Sequence, residues 1–415
     1  MISDLIDLEE IKQTEKYSEL GSNLEENEIN SAIANQDSNT VQQAGIPLSA
    51  IISVNDGDYT TSSTASPNIS WSVRADLEPS INSYEVSIGT TTAGDDSVRS
   101  WENVGNVTSK VFDELVLNSA SIYFVNVRAI DLSGIVSQIS SSDGFIYNYC
   151  NALEIAGSWI LVPGDSDYGT NDFCVMKYEA KNNSGIPSSQ SSGLPWVGIS
   201  QISAKSVCES LGAGYHLITN PEWMTIASNA ANIGSNWSSG NVGDGELARG
   251  HSDKSPNQKC AADASDDNAY VQNDCSGLAS GTFNQRRTHI LSRGEKIWDL
   301  SGNVFELVDY YIQNDRPVMP DPEEYAEFIE ITPTASLPLR DLIPTSDVKS
   351  YWNDAWDSSQ SIGKYFGATN ASQGVMLRGA EYDEETAAGL FYAAFDWDPN
   401  RTHQDVGFRC TFLKP

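Results

Sequence analysis

The chain has 415 residues, of which 39% are hydrophobic, enough for two or three domains with buried cores. Its formal charge of −33 excludes a nucleic acid partner, because binding a polyanion takes a basic surface that releases counterions. Six cysteines without a Cys-x-x-Cys pair and only four histidines argue against zinc; even in number and dispersed, the cysteines suit disulfides and an oxidising, exported destination.

Residues 1–47 carry many acids among Ser, Asn and Gln, with Tyr17 as the only aromatic. Such a segment buries little apolar surface and reads as an acidic disordered or loosely helical tether. An oligomerisation helix around Leu5 to Leu20 is the alternative, although its apolar residues hold no heptad, so a homo-oligomer is left open. Met1 is followed by Ile-Ser-Asp-Leu-Ile-Asp, and neither a signal peptide nor a membrane span is visible. Export would then need a trimmed precursor or a route without such a signal.

From 48 to 147 the pattern changes to strands. Ile69-Ser-Trp71-Ser-Val73 and Tyr84-Glu-Val86-Ser-Ile88 alternate with period two, and turns rich in Ser, Asp and Gly separate the runs. Leu117 precedes Tyr123, which opens Phe124-Val-Asn-Val-Arg-Ala-Ile-Asp131. This resembles the tyrosine corner of the fibronectin type III sandwich, with Trp71 as its core tryptophan. The resemblance implies an all-β spacer, and nothing in the segment has the clustered groups that chemistry needs.

The next unit opens near Cys150. Ser158-Trp-Ile-Leu-Val-Pro163 and Phe173-Cys-Val-Met-Lys-Tyr178 read as two joined strands, which brings Cys150 towards Cys174. Ile199 to Leu211 has helical spacing, with Ile202, Val207 and Leu211 facing the core and Gly212 and Gly214 stopping it. A second helix opens on a capping box, Thr219 with Glu222, and docks Trp223. Residues 232–285 are loop-rich; Cys260 and Cys275 bracket an acidic stretch and read as a local disulfide. Within it Asp263, Asp266, Asp267 and Asn268 read as a solvated turn or a second cation site.

Ile297 to Asp309 places Asp299, Asn303 and Glu306 in an otherwise apolar segment turned by Gly302. On spacing alone this is a tight turn with capping side chains, or an oxygen-ligand cation loop. The segment also resembles the Gly-Asn-Val-Trp-Glu signature of the formylglycine-generating enzyme and sulfatase-modifying-factor family, a C-type lectin-like fold. Leu217 to Trp223, Leu377-Arg378-Gly379 and Gly407-Phe408-Arg409-Cys410 match further motifs of that family in order, so the resemblance covers 150–415. It implies an α+β C-type lectin-like domain with long irregular loops. It also implies a structural calcium held by Asp299, the carbonyls of Gly302 and Val304, and Glu306, and a disulfide between Cys208 and Cys410. Residues 310–372, rich in proline and containing Tyr351, Trp352 and Trp356, read as a surface insertion with short helices of its own.

Between Gly379 and Arg409 the family's oxidases carry two cysteines that bind copper(I); here there is none, so no copper and no catalytic residue is expected. Instead, Tyr382, Asp383, Tyr392, Asp396, Trp397, Asn400, His403 and Asp405 resemble the variable region of retroelement-diversified lectin-fold proteins. Aromatic and polar groups mixed on one surface suit recognition. Phe391 and Phe408 are expected in the core, and Tyr392, Asp396, Trp397 and His403 on the surface. The resemblance thus implies a surface-exposed binding or adhesion protein for a protein or glycan ligand on another surface, outside the cell or on its face. An oxidase of the family and a structural subunit of a fibre or phage tail are the alternatives.

Overall fold

The structure, a computed structural model, describes residues 50–57, 66–113, 115–117, 121–153, 157–262, 270, 271, 275, 277, 278, 281–313, 315, 317–321, 324–367 and 373–414. The acidic tether expected over residues 1–47 lies outside them, as do Asp263, Asp266, Asp267 and Asn268. The fold is mainly β, with two α-helices among the described residues.

The N-terminal unit is built from β1 (Ile51–Asn55), β2 (Asn68–Val73), β3 (Ile81–Gly89), β4 (Arg99–Gly105), β5 (Ser109–Val111), β6 (Ile122–Asp131), β7 (Ser140–Ser141) and β8 (Phe145–Ile146). One sheet has the order β1-β2-β5 and the other β4-β3-β6-β7, with β8 also on β6. Because side chains alternate across a strand, Ile69 and Trp71 of β2 and Tyr123, Val125 and Val127 of β6 point into one core. Trp71 packs edge-on against Tyr84, and Leu117 and Tyr123 share that core.

The second unit begins with a 3-10 turn, Tyr149–Ala152, whose Cys150 is bonded to Cys174. In order follow β9 (Trp159–Val162), β10 (Phe173–Met176), β11 (Lys181–Asn183), β12 (Ile186–Ser188), α1 (Gln201–Glu209), β13 (Tyr215–Leu217) and α2 (Asn220–Ala231). Short pairs β14 (Tyr270–Val271) with β15 (Gly277–Leu278), and β16 (Thr288–Ile290) with β17 (Lys296–Trp298), precede the long β18 (Phe305–Gln313). The chain closes with β19 (Tyr365–Phe366), β20 (Gln373–Arg378), β21 (Ala393–Trp397), β22 (Val406–Phe408) and β23 (Cys410–Phe412). Besides two-stranded pairs, β11 with β12 among them, there are two larger sheets, β13-β23-β10-β9 and β19-β21-β20-β18-β22, so the last two strands serve different sheets with only Arg409 between them.

Helix α2 starts as expected: the Thr219 hydroxyl accepts the Glu222 amide at 3.3 Å, and the Glu222 carboxylate accepts the Thr219 amide at 2.8 Å. Trp223 is fully buried and donates its indole N–H to the Leu390 carbonyl at 2.9 Å. Helix α1 keeps part of the face its apolar spacing predicts, with Val207 and Leu211 packed against the core, but Ile202 lies outside it. Gln201, Ala204 and Cys208 are buried while Ile202 is 53% exposed. Two tethers fix it: the Cys208–Cys410 disulfide, and the Gln201 amide donating to the carbonyls of Val308 at 2.7 Å and Tyr310 at 3.2 Å. The third disulfide joins Cys260 to Cys275.

Residues 310–372 differ from the surface insertion expected of them. Phe328, Ile331, Leu337, Leu342, Ile343, Trp352 and Trp356 belong to the larger core of the second unit, with Trp356 against Trp237 and Trp352 edge-on to Phe391. Its regular structure includes the 3-10 turns Leu339–Asp341 and Ser358–Gln360, which let a proline-rich chain follow the core without a long helix. Trp356→Ala should therefore cost about 3–5 kcal/mol in urea unfolding, as for a large core aromatic. A loss below about 1 kcal/mol would return the segment to the surface.

Candidate functional site

The Ile297–Asp309 segment sits at the meeting of both sheets, and its polar groups point inward. Gly302 has φ +80°, and a Cβ there would collide with the backbone of His251. Its N–H donates to the Gly379 carbonyl at 2.8 Å, and that of Asn303 donates to His251 at 2.7 Å. The Asn303 side chain accepts the Cys260 amide at 2.7 Å and donates to Glu179 at 2.6 Å. One residue thus fastens the Cys260 loop to the connection between β10 and β11 that carries Glu179.

The two acids expected to ligate calcium are engaged by arginines. Arg287 donates to both Asp299 oxygens at 2.7 and 2.6 Å, and Arg409 donates to both Glu306 oxygens, through Nε at 2.6 Å and through Nη2. Asp299 is 2% exposed, and Arg287, Glu306 and Arg409 are fully buried. Arg409 also donates to the carbonyls of Met176 at 3.1 Å, Trp298 at 3.1 Å and Asp299 at 3.3 Å. The Gly302 carbonyl accepts the Val304 amide at 3.1 Å. A calcium ion wants six to eight oxygens, and here it would have to displace two guanidinium groups. Paired in this way these residues do not fit it, and they form a paired-charge centre. Among the described residues no group of three or more His, Cys, Asp or Glu side chains is placed to hold a metal. The overlooked signal was Arg409, flanked by Phe408 and Cys410, a cation in an apolar setting that calls for a buried acid.

Close by, Lys181 lies 3.7 Å from Glu179 with both side chains buried. Burial, reinforced by Asp299, raises the Glu179 carboxyl, and burial lowers the Lys181 ammonium.

The second set, between Tyr382 and Asp405, is partly gathered and partly sunk. Asp396 and the turn residues Asn400, Arg401 and His403 reach solvent. Tyr392 and Trp397 are only 2% and 6% exposed, against the expectation that both lie on the surface. Strand β21 runs inside its sheet, between β19 and β20, so Tyr392 at its start meets Phe305 and Tyr325. Trp397 is roofed by the Arg401 guanidinium 3.7 Å from its ring centroid. Phe391 and Phe408 are buried as expected. Asp405 is also buried, between Lys259 at 3.6 Å and His403 at 3.3 Å, and accepts the Tyr382 hydroxyl.

Around these lie groups that the sequence reading did not assign to the site: Glu381, Glu384 and Tyr325. The Tyr392 hydroxyl donates to Tyr325, and Tyr325 donates to Glu384. Burial, then the neighbouring carboxylates of Asp405, Asp383 and Glu384, pushes Glu381 up to about 8, so it keeps a proton at neutral pH. Burial also raises Glu384 and, with Asp405, takes Tyr382 to about 12. Tyr325 comes from the 310–372 segment, so no local motif near Tyr382 could have announced it.

Fold and site together define a mainly β, disulfide-stapled chain with a tyrosine-framed acidic face near its C-terminal strands. No protein-family model matches the chain, and no curated protein matches it. Among solved structures it is similar to Treponema denticola variable protein 1, at 12% identity over 62% of this chain and 93% of that one, with a TM-score of 0.26. It is also similar to an alpha-L-rhamnosidase from Dictyoglumus thermophilum, at 12% identity over 31% of this chain, with a TM-score of 0.22. The chain spans 16% of the rhamnosidase's length. At those scores neither likeness carries an argument about fold or function.

The raised Glu381 has a consequence for stability. The unfolded chain releases this proton near 4.5 and the folded chain near 8, so the stabilisation is complete below pH 4.5 and lost as pH rises through 8. Urea midpoints measured from pH 4.5 to 9 should fall for the wild type relative to Glu381→Gln, which stays neutral throughout. A difference between the two that does not change with pH would contradict the assignment.

Proposed function

We propose that the chain is a non-catalytic ligand-binding or adhesion protein. In this reading a fibronectin type III-like spacer carries a C-type lectin-like head, which works outside the cell or on its face. What carries it is the face formed by residues 381–405, where solvent-facing Asp396, Asn400, Arg401 and His403 stand on a buried base of Tyr392, Trp397 and Asp405. A rigid aromatic base under adaptable polar groups suits recognition, because few rotamers are lost on binding. Export is supported by the three disulfides. Among the described residues no helix is long and apolar enough to cross a membrane.

The oxidase alternative finds less support. All six cysteines are paired in disulfides, which leaves no thiolate pair for copper(I). The retroelement-diversified character of the face rests on the resemblance alone.

The test is binding of the full chain to a panel of immobilised cell-surface proteins by surface plasmon resonance. Replacing Asp396, Asn400 and His403 together with Ala should weaken the strongest interaction by at least about tenfold, roughly 1.4 kcal/mol, without moving the unfolding midpoint. Unchanged affinity would remove the face from the binding surface. Copper-dependent conversion of a cysteine peptide to formylglycine by the wild type would overturn the non-catalytic reading itself.

A further inference from the structure

The β11–β12 hairpin and the loop leading to Trp196 form an open groove of about 480 Å³. That volume lies within the range of about 300–1,000 Å³ typical of small-molecule sites. Its walls bear carboxamides and hydroxyls, from Asn182, Asn183, Gln190 and Ser192, and an indole, Trp196. The hydrogen-bonding capacity of these groups is largely unused. Among the described residues the side chains of Asn183, Gln190 and Ser192 make no hydrogen bond within the chain. Asn182 uses its carbonyl oxygen to accept the Gly185 amide at 2.7 Å, which leaves its NH₂ free. The Trp196 indole N–H has no partner in the chain and is not among the buried unpaired groups, unlike those of Trp71, Trp352 and Trp397, so it meets water.

The groove is also neutral, in a chain of net charge −33. Lys181 is its one charged lining residue, and its ammonium is buried beside Glu179. No carboxylate lines the groove to attract a cation, and no exposed cation lines it to attract an anion. The indole is held in place: its ring packs edge-on against Phe408, 5.6 Å between centroids, and the Trp196 backbone N–H donates to Ala180 at 2.7 Å. A second cleft, near Asp165 and Lys349, lacks this character because its polar groups satisfy one another: Lys349 pairs with Asp165 and Asp167, Asn229 with Ser292, and Tyr351 with Ser228.

We propose that the groove beside Trp196 is a binding site for a neutral saccharide. The C–H face of a sugar ring would lie on the indole, and its hydroxyls would exchange hydrogen bonds with the amides of Asn183 and Gln190. A neutral ligand with many hydroxyls matches the donors and acceptors offered, and the Trp196 indole, with Leu194, Pro195 and Val197 along the same loop, offers apolar surface for one ring face. A neutral peptide would use the same amides and the apolar lining residues Leu194, Pro195 and Val197, and it is the alternative that the test must exclude. The proposal stands whether or not the 381–405 face binds a ligand.

The full chain is titrated with glucose, galactose, mannose, N-acetylglucosamine and their neutral disaccharides, followed by saturation-transfer NMR and tryptophan fluorescence. At least one should bind saturably with Kd on the order of 1 mM or tighter. Trp196→Ala should abolish that binding. The double variant Asn183→Ala with Gln190→Ala, at two exposed positions, should weaken it at least about tenfold while keeping the wild-type unfolding midpoint. Absence of saturable binding by every sugar would overturn the proposal, and so would wild-type affinity in the double variant. Binding of neutral tripeptides at Trp196 in place of sugars would assign the groove to peptides and overturn it as well.

Discussion

The bidentate pair between Arg409 and Glu306 is the contact on which the second unit depends. Arg409 is the single residue between β22 and β23, strands of two different sheets, and Glu306 lies on β18. The pair therefore sets how the two sheets meet. Taking both charges out of water costs several kcal/mol per ion, and the pair stands because Arg409 also satisfies three backbone carbonyls. Its worth lies in geometry: removing either partner would leave the other charge buried and alone. Beside it, Arg287 with Asp299 does the same for the turn that holds Gly302 and Asn303.

This charged centre explains why the exposed face can be rigid. Phe305, at the start of β18, runs parallel to Val406 and packs on Tyr392, while Asp405 accepts the Phe305 amide at 3.0 Å. The turn with Asn400, Arg401 and His403 is thus anchored at both ends, on β21 and on β22. The same loop that carries Trp196 joins this frame, since the Gly198 amide donates to the His403 carbonyl at 2.8 Å.

Much of the frame was legible from local chemistry. Period-two alternation found the strands around Trp71 and Tyr84, and the capping box found the start of α2, because both signals depend on near neighbours in the chain. Cys150 with Cys174 could be read from two adjacent strands. What could not be read was tertiary. Apolar spacing put Ile202 in the core with Val207 and Leu211, but a disulfide and the Gln201 amide fix α1 so that Ile202 faces out while the other two pack inward. Prolines in 310–372 suggested a surface excursion, whereas Trp352 and Trp356 are packed inside. Asp299 and Glu306 read as cation ligands because their partners, Arg287 and Arg409, are 12 and 103 residues away. Tyr392 and Trp397 read as surface aromatics because alternation does not reveal that a strand is covered on both faces.

The central claim is that arginines, rather than a bound cation, neutralise Asp299 and Glu306. Calorimetric unfolding with and without a calcium chelator tests it most directly, because a ligand bound only by the folded state raises the melting temperature. The account predicts the same melting temperature in both conditions. A fall on chelation, reversed by added calcium, would contradict it.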